Sequence, residues 1–215
     1  MFRYCYSIQK IPKLDLSSAT NIQYFVDQCF NLGYVDLSSL DPNYNGPMRQ
    51  TFAYCRRLTE ILIPSTVKPT TLQQTFTHCE SIRKIPDLDT RDINTERGYY
   101  YTFYYNLQLR EIPESIFYGL SNTDNTDWYR TFYYCFNLKV LPSTFFQLSN
   151  ITGITQCREL FRNCYQLTKV PTLTLSAVTS DNNQLNLYYE TRLLSDTLII
   201  GCKYNISFYK SFLSR

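Results

Sequence analysis

A unit of 24 to 29 residues repeats along this 215-residue chain, and cysteine marks its phase. The same position in seven successive units, here called the phase residue, holds six cysteines and one asparagine. These are Cys5, Cys29, Cys55, Cys79, Asn106, Cys135 and Cys164, separated by 24, 26, 24, 27, 29 and 29 residues. A period in this range predicts a fold in which units stack on one another, because one unit is too small to bury its own apolar face.

Apolar residues recur at fixed distances from the phase residue. Phe or Val lies three residues before it, Leu or Ile three after it, and Ile, Val or Leu six after it. A further, mostly apolar column lies seven residues before it in units two to seven. The positions at −7, −3 and 0 follow one face of a helix, so we predict a short helix that ends near the phase residue. The positions at +3 and +6 predict a short strand, which proline ends in most units.

The sequence therefore predicts an α/β solenoid. It is a leucine-rich repeat of about seven coils, each with a short helix and a short parallel strand, followed by a divergent C-terminal cap. We expect the solenoid over residues 1–180 and the cap or attachment segment over 181–215, where the repeat loses its register. The abundance of Tyr and Phe beside few Ala and Gly argues against a bundle of long helices.

Segments such as MFRYCYSIQKIPKLDLSSATNIQYF and LFRNCYQLTKVPTLTLSAVTS carry a recognisable pattern. The Phe-x-x-Cys-x-x-Leu-x-x-Ile-Pro and Leu-Asp-x-Ser-x-x-Thr-Asn motifs resemble those of BspA-like leucine-rich repeat proteins, over roughly residues 1–180. The resemblance implies an adhesion or surface protein of host-associated bacteria, with relatives in some protozoa and bacteriophages, and binding rather than catalysis. Units five and six depart from the pattern because they carry longer polar insertions.

Eight cysteines allow either a disulfide framework or a row of free, buried thiols. Asn106 fills the phase position once and cannot form a cross-link, so we expect free thiols. The chain has no Cys-x-x-Cys or His-x-x-x-His pair, and His78 is its single histidine. We therefore expect no metal site, no cofactor, no catalytic residues and no enzyme activity.

Charge and hydropathy limit the partners and the location. A net charge of +3 is too small for a dedicated nucleic-acid-binding protein, and no run of eighteen apolar residues predicts a membrane span. The N-terminal residues lack the pattern of a signal peptide, which leaves open a cytosolic protein, an excised fragment, or assembly outside the secretory pathway. The family resemblance implies a cell-surface, extracellular or virion-associated location.

Two surfaces are candidate binding sites. The first is a basic stripe on the outward face of the strands, formed by Arg83, Lys84, Arg110, Lys139 and Lys169. The second is the aromatic column directly before the phase residue, formed by Tyr54, His78, Tyr105 and Tyr134, which would suit sugar rings or a protein partner. Both have a purely structural alternative, since strands need solvated side chains and stacked tyrosines pack on one another.

The first unit has no residue at the −7 position, so we expect its coil to be covered by a longer chain, another subunit or an assembly. The function expected from all of these features is a non-enzymatic adhesion or interaction module that binds a host protein or glycan. The alternative is a structural subunit of a virion or surface appendage that uses its uncapped end and aromatic faces for protein contacts.

Overall fold

The computed structural model describes residues 1–93, 95–121, 127–150 and 154–170, together with residues 173–174 and 199–200. Its strands are short: β1 (Tyr34–Asp36), β2 (Glu60–Leu62), β3 (Leu173–Thr174) and β4 (Ile199–Ile200). Strand β1 pairs in parallel with β2, and β3 pairs in parallel with β4. Strands β1 and β2 lie five to seven residues after Cys29 and Cys55, where the repeat predicts a parallel strand. Most of segment 181–215, predicted to be a cap, lies outside the described residues.

The helix predicted before each phase residue is not present in the described residues, where these segments are consecutive turns. The backbone explains the difference. In units two to seven the residues at −5 and −1 have positive φ, as at Gln74 (φ 55°) and His78 (φ 55°). A regular right-handed helix cannot continue through such left-handed residues.

Hydrogen bonds between units replace those of a helix. The N–H groups at −5, −3 and −1 donate to carbonyl groups of the following unit. In the second unit Tyr24 N donates to Arg49 O at 3.0 Å, Val26 N to Thr51 O at 3.0 Å, and Gln28 N to Ala53 O at 2.7 Å. Equivalent bonds link each later unit to the next as far as the seventh. These bonds satisfy backbone groups that would otherwise be buried without partners.

The apolar columns form the core. Phenylalanine rings at the −3 position stack between successive units, with centroids 5.7 Å apart for Phe52 and Phe76 and 5.9 Å apart for Phe76 and Phe103. The +3 residues of units two to seven are fully buried. The side chains at −3 and +3 therefore lie where the repeat spacing predicts them.

The phase cysteines link the units through their thiols. Each buried thiol donates to the carbonyl at −3 of the preceding unit, as Cys55 Sγ does to Val26 O at 3.1 Å and Cys79 Sγ to Phe52 O at 3.2 Å. All seven cysteines of the described residues are free, and Cys202 lies outside them. Cys5 differs from the expected buried row because it is exposed on the first unit.

Three 3₁₀ helices complete the elements: η1 (Thr90–Asp92), η2 (Glu114–Ser121) and η3 (Ser143–Asn150). Helices η2 and η3 occupy part of the insertions of units five and six. Phe117 and Phe145 from these helices are fully buried, with their ring centroids 4.8 Å apart. The insertions are thus anchored to the core rather than being wholly polar loops.

Candidate binding groove

An open groove of about 1020 Å³ lies on the strand side of units four to seven. Three residues of the predicted basic stripe, Lys84, Arg110 and Lys169, line it. Arg83 and Lys139 are exposed but do not line the groove. The structure therefore brings three of the five residues of the basic stripe together in the groove. The other two, Arg83 and Lys139, lie outside it.

Carboxylates balance the cations of the groove. Asp87, Glu111 and Glu114 lie on the same walls as the three basic residues. Lys84 Nζ lies 4.0 Å from Glu111 Oε2, and both side chains are largely exposed, so this pair contributes little to stability. The groove is consequently dense in charge but nearly neutral, which weakens the case for a strongly acidic ligand.

Glu114 is held in place by the next helix. Its carboxylate accepts hydrogen bonds from Ser143 N at 2.8 Å and Thr144 N at 2.7 Å at the start of η3. Burial would raise the pKa of Glu114, but the hydrogen bonds from Thr144 and Ser143 outweigh it and hold the pKa below its usual range. The groove thus keeps a fixed negative charge at neutral pH.

Two apolar side chains stand exposed on the groove wall: Val140 and Tyr118, the latter 43% exposed. A second cavity of about 440 Å³ adjoins the first, and Ser115 and Tyr118 line both. The second cavity also contains Lys68 and the ion pair of Arg91 Nη2 with Asp89 Oδ2 at 2.6 Å. Sequence reasoning missed Tyr118. The only signal for it was its place in the longer fifth unit.

The aromatic column forms as a continuous stack. Ring centroids are 4.6 Å apart for Tyr54 and His78, 4.6 Å for His78 and Tyr105, and 4.4 Å for Tyr105 and Tyr134. The rings of His78 and Tyr105 therefore have neighbouring rings on both faces. A sugar cannot stack on a face that is already covered, so these two residues offer only ring edges and polar rims to a ligand. This geometry favours the structural alternative for the column.

Burial affects the titratable groups of the column. It lowers the pKa of His78, partly opposed by Glu80, whose Oε1 lies 3.5 Å from His78 Nδ1. Burial raises the pKa of Tyr105, because in both residues it disfavours the charged form. Burial therefore favours the uncharged forms of His78 and Tyr105.

A buried ion cluster that the sequence did not reveal lies beside the column. Glu159 is almost fully buried and accepts hydrogen bonds from Arg130 and Arg162. Burial would raise the pKa of Glu159, but these two guanidinium groups hold it below its usual range. The Arg130 guanidinium also lies 4.9 Å from the Tyr129 ring centroid and 5.1 Å from that of Tyr133. Arg130 occupies the −5 position, so this cluster joins units six and seven.

The described part of the chain holds no group of three or more His, Cys, Asp or Glu side chains placed to bind a metal ion. It also holds no helix with the length and apolar character that crossing a membrane requires.

Comparisons with known proteins give little. No protein-family model and no curated protein matches the chain. Among solved structures, it shows a weak likeness to a plant peptide hormone receptor, RGFR1 in complex with RGF2, at 12% identity and a TM-score of 0.19. The likeness covers 78% of this chain and 37% of the receptor chain. A likeness at that TM-score carries no argument about fold or function.

Proposed function

We propose that this chain is a leucine-rich repeat solenoid of the BspA-like type and serves as a non-enzymatic interaction module at a cell surface or on a virion. Its ligand is a protein or a glycan bound in the groove. The repeat motifs support the family, and the hydrogen bonds between successive units support the stacked architecture.

The groove carries the proposal. It is concave, continuous over several units, and joins exposed cations with exposed apolar surface at Val140 and Tyr118. Concave surfaces with convergent polar groups and an apolar contact area are the usual ligand sites of proteins. Repeat proteins also tend to carry their specific contacts on insertions, and η2 and η3 belong to the insertions of units five and six.

The test compares two double variants with the same change in charge. Lys84→Ala/Lys169→Ala removes two cations from the groove, and Arg83→Ala/Lys139→Ala removes two from the strand surface beside it. Wild-type protein is first screened on arrays of purified extracellular matrix proteins and of oligosaccharides. Affinity for the strongest ligand should fall about tenfold in the groove variant, since two exposed charged contacts contribute about 0.5–1 kcal/mol each.

The flanking variant is the control for overall charge. It should bind within about twofold of wild type, since twofold is only about 0.4 kcal/mol. Equal losses in both variants would mean that net charge rather than the groove determines binding. No loss in either variant would place the ligand elsewhere on the molecule.

The alternative function, a structural subunit of an assembly, is supported by exposed side chains on the first unit. Met1, Tyr4 and Tyr6 are all exposed large apolar residues there. Such a patch suits a protein contact, whether with a longer chain, a second subunit or another protein. Light scattering after size-exclusion chromatography tests this alternative for self-association: a mass above 25.5 kDa that returns to the monomer value in Tyr4→Ser/Tyr6→Ser would favour it.

A further inference from the structure

Tyr118 differs from the other aromatic residues that the structure describes. Most aromatic rings in this part of the chain stack on one another or on arginine, including the exposed Tyr4 and Tyr6 of the first unit. Tyr118 is 43% exposed and stacks on no ring among the described residues, although it lies within electrostatic range of Arg91 in the second cavity. Within the described part of the chain, no other ring therefore covers the exposed part of Tyr118.

Helix η2 holds Tyr118 at a fixed place. The preceding residue, Phe117, is fully buried against Phe145. The following residue, Gly119, donates its N–H to Thr90 Oγ1 at 3.2 Å, and a Cβ at Gly119 would lie only 2.4 Å from Thr90 O. Glycine at this position thus lets η2 approach η1 closely. An exposed ring between two anchored residues is a preorganised contact surface.

Tyr118 lies where the two cavities meet, so a ligand crossing it would extend into both. Hydrogen-bond donors and acceptors line the first cavity. Asp87, Glu111 and Glu114 can accept hydrogen bonds, and Lys84, Arg110 and Lys169 can donate them. The first cavity has three cations and three carboxylates, and the second adds Lys68 and the Arg91–Asp89 ion pair. The two together carry only one net positive charge, which is too little to select a polyanion.

We infer that the groove binds a neutral oligosaccharide chain, with one sugar ring stacked on Tyr118 and its neighbours extending into the two cavities. This inference rests on the proposed function and names the ligand class of the same site. A pyranose ring has an apolar C–H face that fits an open aromatic ring, and hydroxyl groups at its rim that bond to carboxylates and cations alike. A folded protein partner would bury a broader surface with several aromatic anchors, whereas this groove presents one exposed ring.

The experiment measures binding of neutral linear oligosaccharides of about three to six sugar units, drawn from glucans, mannans, galactans and N-acetylhexosamine oligomers, by array and then by calorimetry. Uronate-containing chains of the same length form a parallel arm. Neutral chains should bind, and Tyr118→Ala should weaken binding at least about tenfold while Tyr118→Phe keeps most of it, because the stacking face is retained. Leu62→Ala is the control, since Leu62 is a similarly exposed large apolar residue (40%) on β2 and lines neither cavity.

The thermal midpoint of each variant verifies that it is folded, which is expected because the Tyr118 side chain is 43% exposed. Tyr118→Ala binding with wild-type affinity, binding of uronate chains alone, or absence of any oligosaccharide binding would each overturn the inference. If a protein from the matrix array binds and responds to Lys84→Ala/Lys169→Ala while no oligosaccharide binds, this inference fails and the proposed function stands. If neither ligand class responds to the groove variants, both fail.

Discussion

At the scale of single residues, the cysteine column combines small volume with one hydrogen-bond donor. The thiols of units two, three, four, six and seven each reach a carbonyl of the preceding unit. Asn106 breaks the series. Its Oδ1 instead accepts from Cys79 N at 3.0 Å, and its Nδ2 is buried without a hydrogen-bond partner. Cysteine fits the position because a larger amide brings an additional polar group that the core does not satisfy.

Replacing Cys55 by alanine should lower the free energy of unfolding by about 2 kcal/mol. The change leaves a small cavity and removes the donor to Val26 O, which would otherwise contribute about 1 kcal/mol. Cys5→Ala is the control, because Cys5 is exposed and the same change there should cost less than about 0.5 kcal/mol. Urea denaturation followed by circular dichroism measures both values. Equal values for the two variants would mean that the thiol column does not stabilise the stack.

At the scale of elements, the spacing of apolar residues predicts which side chains are buried. It predicts the backbone conformation less well. In units two to seven the −3 and +3 columns are buried as predicted, because burial depends on which side chains face the core. The helix was not found because residues at −7, −3 and 0 can face one side in a helix or in a series of turns. The left-handed positions hold residues such as Gln74, His78 and Tyr105 rather than glycine, so composition gave no sign of them.

The same limit applies to the candidate site. The basic stripe could be found from the sequence because charges recur at fixed distances from the phase residue. The sequence could not show that only three of the stripe's five residues line the groove, because that depends on where η2 and η3 pack. Tyr118 was missed for the same reason. Its exposure follows from the close approach of Gly119 to Thr90, which brings together residues 29 positions apart.

Adjacent glutamines test the turn conformation of these segments. Gln74 has φ 55° and Gln73 has no positive φ, although both are half-buried in the same segment. Gln74→Gly should leave the free energy of unfolding within about 0.5 kcal/mol of wild type, because glycine relieves the left-handed strain and offsets its own entropic cost. Gln73→Gly should cost about 1 kcal/mol. In a regular helix both changes would cost the same, so equal losses in urea denaturation would contradict the turn geometry.

At the scale of the whole molecule, the buried thiols make stability depend on pH. Burial raises the pKa of Cys29 to about 11, and it also raises the pKa values of Cys55, Cys79, Cys135 and Cys164. Thiols in an unfolded chain ionise near pH 8.5. Above that pH the unfolded state loses protons that the folded state keeps, so the unfolded state becomes more favourable as the pH rises. Below it, both states are protonated and the full stabilisation is present.

We therefore expect the urea midpoint to stay nearly constant from about pH 7 to 8 and to fall steeply from about pH 9 upward, since the unfolded thiols ionise between these ranges. Each buried thiol should lower the free energy of unfolding by up to about 1.4 kcal/mol per pH unit there. Tyrosines and lysines also titrate in this range, so the comparison that isolates the thiols is with Cys55→Ala. That variant should start less stable at neutral pH but lose stability less steeply in alkali, by about the contribution of one thiol. Parallel pH profiles for wild type and Cys55→Ala would show that Cys55 does not retain its proton in the folded state.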